Sequence, residues 1–170
     1  NLGNLYRNQG KTKAAMAQYR AAVKIDSQFF PAMVNLAMLA NQTGDNTLAE
    51  AQFKRALAIN PELHEVHYSL GLLLAEMKQY PDAARHLARA AEEMPTYARV
   101  HFNLGQLYAF LGESDKARAA LERAYQLAPQ RPDHLEALVG HYLQQGDTRA
   151  LRTLVGQMRA DNPDSPVARR

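Results

Sequence analysis

Apolar positions along this chain recur at helical spacing, and the helical stretches come in pairs. Leu70, Leu73, Leu74 and Met77 fall at i, i+3, i+4 and i+7, which places them on one face of a helix. A short break follows, and comparable breaks recur as "QGKT", "TGDN", "KQYPD", "LGESD" and "QGDT". Glycine in such a break can take the left-handed backbone that ends a helix. Pro81 suits the first turn of the next helix. A second amphipathic stretch then runs until a proline closes it. The pattern predicts repeated pairs of helices and no strands.

The pairs share one register. "VHYSLGLLLAEMKQYPDAARHLARAAEEMP" from Val66 returns as "VHFNLGQLYAFLGESDKARAALERAYQLAP" from Val100, 34 residues later. Stepping by 34 from Leu70-Gly71 meets Leu2-Gly3, Leu36-Ala37, Leu104-Gly105 and Leu138-Val139. The same step links Ala15, Ala49, Ala83, Ala117 and Leu151, and then Ala22, Ala56, Ala90, Ala124 and Met158. Ser27, Pro61, Pro95, Pro129 and Pro163 close the repeats. A small residue in the first helix facing alanine in the second lets two backbones approach closely. One such pair cannot bury its apolar face alone, so neighbours must stack.

This register resembles the tetratricopeptide repeat (TPR) family, whose motif is a helix–turn–helix of 34 residues. One motif position holds Tyr6, Ala40, Leu74, Tyr108 and Tyr142, and another holds Tyr19, Phe53, Leu87, Leu121 and Val155. The resemblance implies an all-α fold, a right-handed α-solenoid of antiparallel helix pairs forming a TPR superhelix. It implies a single TPR domain over 1–170, with a partial repeat 1–29, complete repeats 30–63, 64–97 and 98–131, and a degenerate cap 132–165 followed by a tail 166–170. Val139, Leu151 and Met158 depart from the small residues of the other repeats, so the fifth repeat is expected to be a terminal cap. His67 and His101 replace a usual large aromatic and are expected to fill that slot with partial burial. "NLGNLY" at the start looks like the middle of a helix, as expected of a module from a larger polypeptide.

Composition narrows the class. Of 170 residues 46% are apolar and 22% charged, which fits a packed repeat protein rather than disorder. No apolar run approaches the length needed to cross a bilayer, so no membrane insertion is expected. Absent cysteine excludes disulfides and thiolate chemistry but does not fix a compartment. Residues 1–25 carry Arg7, Lys11, Lys13, Arg20 and Lys24 with no acid, whereas residues 26–148 have 10 Lys/Arg against 15 Asp/Glu. An acidic middle repels phosphate, so no nucleic-acid partner is expected. Base-reading helical repeats would need a basic groove, and Glu65, Glu76, Asp133 and Glu136 oppose one.

Patterns that could carry chemistry fall short. Gly10-Lys11-Thr12 ends like a phosphate loop, but Leu5 stands where the first glycine belongs and a helix precedes it. His64 and His67 are three apart, not the four of a metalloprotease helix, with Glu65 between them. The serines lack a nucleophile-elbow context. The reading is a protein that is not an enzyme, with no cofactor and no metal.

What remains is the surface of the stack. The family implies a concave face lined by the first helices. On it the resemblance places Asn1, Asn4, Asn35, Met38, Tyr68, Leu72, Phe102, Asn103, Gln106 and Phe110 as partner-binding residues. Amides both donate and accept, which suits the main chain of an extended peptide. Tyr68, Leu72, Phe102 and Phe110 suit an apolar anchor. TPR co-chaperones that grip a C-terminal carboxylate need basic residues where this chain has Glu65 and Ser69, so that function is not expected although Asn4 and Asn35 match. The function read from the sequence is a protein–protein interaction scaffold for a protein or peptide partner. The alternative is a docking or oligomerisation appendage of an upstream enzyme or exported bacterial protein, through self-association or contact with an upstream domain.

Overall fold

The computed structural model describes residues 2–161, apart from the side chain of Asp161. Asn1, an expected binding residue, the closing Pro163 and the tail 166–170 lie outside the described residues. Ten helices follow one another among them: α1 Leu2–Asn8, α2 Thr12–Ile25, α3 Phe30–Gln42, α4 Asn46–Ile59, α5 His64–Glu76, α6 Tyr80–Glu93, α7 Ala98–Phe110, α8 Ser114–Leu127, α9 Pro132–Gln145 and α10 Thr148–Asp161. The chain divides into two compact bodies, Asn1–Met94 and Pro95–Arg170.

In the N-terminal body the pairs α1/α2, α3/α4 and α5/α6 pack internally, and α2 meets α3 as α4 meets α5. Ala15, Ala49 and Ala83 are fully buried where the helices of each pair cross. The close approach is visible at Gly71, where an added Cβ would lie 2.7 Å from Leu87 Cγ and 3.2 Å from its backbone nitrogen. Large side chains, with Tyr19, Phe53, Leu70, Leu73, Leu74 and Leu87 at or below 1% exposure, form the buried interior of this body.

The C-terminal body repeats the scheme with α7/α8 and α9/α10, and α8 packs on α9. Ala117 and Ala124 are fully buried, and an added Cβ on Gly105 would lie 2.8 Å from Leu121 Cγ. Leu121, Leu138, Tyr142 and Leu154 form its core, with Phe102, Tyr125 and Leu135 packed against them. The last pair is different. Leu151 and Met158, at positions held by alanine in the other repeats, are only half-buried. Side chains of that size cannot enter the crossing that alanine occupies, so the last helix presents its residues less deeply.

The turns show how the helices stop and start. Gly10, Gly44, Gly112 and Gly146 all have positive φ, between 67° and 82°. Lys78 takes the same conformation at φ 61°, where the third repeat lacks the glycine. Asp45 accepts from Leu48 N at 3.1 Å and Asp147 from Ala150 N at 2.9 Å, so both cap the helix that follows their glycine.

Candidate functional site

In the N-terminal body the expected binding residues sit on α1, α3 and α5. Their amides are already at work within the chain. Asn4 Oδ1 accepts from the Tyr19 hydroxyl at 2.6 Å. Asn35 Oδ1 accepts from Arg7 Nη1 at 2.8 Å, tying α3 to α1, and its Nδ2 donates to the Pro31 carbonyl at 2.8 Å. Ser69 likewise donates to the Glu65 carbonyl, 2.9 Å away. Asn35 keeps one amide proton beyond that bond, which is what it can offer a ligand. Met38 is 50% exposed, and Tyr68 and Leu72 are half-buried.

In the C-terminal body the residues sit on α7. Phe110 is 67% exposed, Gln106 is exposed and Asn103 is half-buried. Phe102 is committed to packing. It stacks on His134 with centroids 4.8 Å apart and lies against the core shared by α8, α9 and α10.

Two histidines find roles that local spacing did not disclose. His67 Nε2 lies 3.1 Å from the Pro61 carbonyl and His101 Nε2 lies 3.2 Å from the Pro95 carbonyl, so each ring donates to the proline loop that closes the preceding repeat. With Nε2 donating, neutral His67 has an acceptor at Nδ1, and His86 Nδ1 lies 2.8 Å from it. His86 must therefore carry its proton on Nδ1. Burial, reinforced by His67 and Arg85, lowers the His86 pKa to about 4, and Asp82 opposes the shift. Burial also lowers His101, partly offset by the Pro95 carbonyl. Among the described residues no group of three or more His, Cys, Asp or Glu is placed to hold a metal ion.

The histidine pair has a pH signature. The unfolded chain binds the His86 proton near the ordinary pKa of 6.5 and the folded chain near 4, so the unfolded state holds more protons in between. Stability from this group is complete above about pH 6.5 and is lost as pH falls through about 4. Denaturation midpoints should fall across that window, and His86→Gln should flatten the fall. An unchanged slope in the variant would assign the acid sensitivity elsewhere.

On the second-helix side, each body has a cleft. In the C-terminal body a cleft of about 890 Å³ is lined by residues of α8, α9, α10 and the turn joining the last two, including Arg118, Glu122, Tyr142 and Asp147. Within it Arg118 meets Asp147 at 2.7 Å, and the Tyr142 hydroxyl donates to Glu122 at 2.6 Å. Burial, with Glu122 accepting from the hydroxyl, raises the Tyr142 phenol above its ordinary range. In the N-terminal body a smaller cleft of about 350 Å³ lies at the matching register, between α2 and α4.

Tetratricopeptide repeat family models match residues 1–64 and 74–124. The chain belongs to the tetratricopeptide repeat family. Solved structures agree in fold. YrrB, described as a TPR protein with an unusual peptide-binding site, superposes with a TM-score of 0.83 at 22% identity, over 99% of this chain and 87% of that one. MamA superposes at 0.83 with 21% identity, over 95% and 88%. PilF of Pseudomonas aeruginosa superposes at 0.73 with 24% identity, over 91% and 71%. No curated protein matches the chain. At these identities the likeness establishes the fold, an all-α helical solenoid of TPR pairs. No described helix is long and apolar enough to cross a membrane.

Proposed function

We propose that this TPR chain is a protein–protein interaction scaffold that takes a peptide or protein partner on the faces of its first helices. One observation carries the reading. Leu36, Leu70, Leu104 and Leu138, at the packing positions of those helices, are at most 6% exposed, while Met38 and Phe110, at expected binding positions, stay half or more exposed. Large apolar side chains at the positions that the family uses for ligands are what an anchor site requires. The description of YrrB as having a peptide-binding site supports the same class of partner.

The amides have a narrower role than an open ladder. Asn35 is held by Arg7 and its own helix, so it presents a fixed donor rather than a free side chain. Specificity then rests on the apolar anchors and on charge. Glu65, Glu76 and Glu136 are exposed on first helices, which favours a basic or neutral ligand over an acidic one.

The test is to capture partners from native extract, identify them, and measure affinity for purified variants. Met38→Ala and Phe110→Ala should each weaken binding about tenfold, roughly 1.4 kcal/mol, while Arg152→Ala on α10 leaves it unchanged. Phe102→Ala is a poor probe, because it removes a packing residue of the C-terminal body. Equal binding by all variants would send the interaction to another surface.

A further inference from the structure

The N-terminal body holds a second surface, away from its first-helix faces. The cleft between α2 and α4 has a cationic rim of Arg20, Lys24 and Arg55 and an apolar floor of Val23, Leu36 and Leu48. No carboxylate lines it. All three cations are exposed, and among the described residues none forms a salt bridge. Acids on the flanking segments are engaged elsewhere: Glu50 holds Lys54 at 2.6 Å, and Asp26 accepts from Gln28 N at 2.9 Å.

The matching cleft in the C-terminal body shows that this charge is not a consequence of the fold. At the register of Arg20, Lys24 and Arg55 it carries Glu122, Gln126 and Gln157. Gln52 sharpens the chemistry of the N-terminal cleft. It is 8% exposed, and its Oε1 is reached only weakly by Arg55 Nη1, at 3.5 Å. The guanidinium therefore keeps most of its donors for a ligand.

We propose that this cleft docks an acidic segment of a partner protein, one in which an aliphatic side chain is flanked by carboxylates. The aliphatic group would enter over Val23, Leu36 and Leu48 while the carboxylates meet Arg20, Lys24 and Arg55. The apolar floor and the small volume of about 350 Å³ favour this occupant over a polynucleotide, which needs an extended phosphate track. The site prefers the opposite charge to the first-helix faces, so the two surfaces can hold different segments together.

The test uses the full chain and a capped synthetic peptide, Glu-Glu-Leu-Glu-Glu, carried on a fluorescent label. It should bind at least tenfold more tightly than Gln-Gln-Leu-Gln-Gln and several-fold more tightly than Glu-Glu-Gly-Glu-Glu. Added salt should weaken it. Lys24→Glu and Arg55→Glu should each abolish the preference for acid, and Lys13→Glu, on the same helix but outside the cleft, should leave it. The proposal is overturned if the acidic peptide shows no preference, or if Lys13→Glu acts like the cleft variants. It is also overturned if a duplex oligonucleotide or anionic vesicles bind the chain more tightly through Lys24 and Arg55 than the peptide does.

Discussion

Leu121→Ala is expected to destabilise the C-terminal body by about 2–5 kcal/mol, the range for truncating a fully buried leucine. Leu121 is 2% exposed and lies directly over Gly105, whose missing Cβ makes room for it. It also joins Leu138, Tyr142 and Leu154 in the core. Truncation would leave a void that the glycine backbone cannot fill, since closing it means moving α7 against α8. Guanidinium denaturation followed by circular dichroism gives the value. A change below about 0.5 kcal/mol, the scatter of ordinary surface substitutions, would show that Leu121 is not under the crossing.

Ala83→Leu tests the same geometry from the opposite direction in the N-terminal body. Ala83 is fully buried where α6 meets α5, one turn before Leu87, which already crowds Gly71. Three added heavy atoms have no space to occupy, so overpacking should cost about 1–3 kcal/mol. In a body of this size each kcal/mol lowers the melting temperature by about 4–8 °C. The equivalent change in the fifth repeat already exists in the wild-type chain: Leu151 stands at that register and is half-buried instead of buried. Melting of Ala83→Leu at the wild-type temperature would mean that the helix faces are assigned wrongly.

Much of the fold is legible because each packing choice is written several times. The small residues at Gly3, Gly71 and Gly105 and the large ones at Tyr19, Leu87 and Leu121 meet as the register requires. Features made once are harder to read. Lys78 takes a left-handed backbone that its residue type does not announce. The His67–His86 hydrogen bond joins two helices across 19 residues, a separation no short motif marks. The amide recurrence is visible in sequence, but not that Arg7 and Pro31 would engage Asn35. Phe102 looks like a ligand anchor because its register is a binding one, yet His134, buried at 3% exposure, gives it a stacking partner. The cationic cleft is written in the sequence as Arg20 and Lys24, four apart on one helix, with Arg55 of the next repeat lining the same cleft.

Hydrogen exchange of the full chain, with and without a partner captured from native extract, locates the docking surface. Exchange should slow on the first helices, Phe30–Gln42, His64–Glu76 and Ala98–Phe110, around Met38 and Phe110. Protection confined to the second helices would contradict it, and protection at α2 and α4 alone would leave only the acidic-segment cleft as a docking surface.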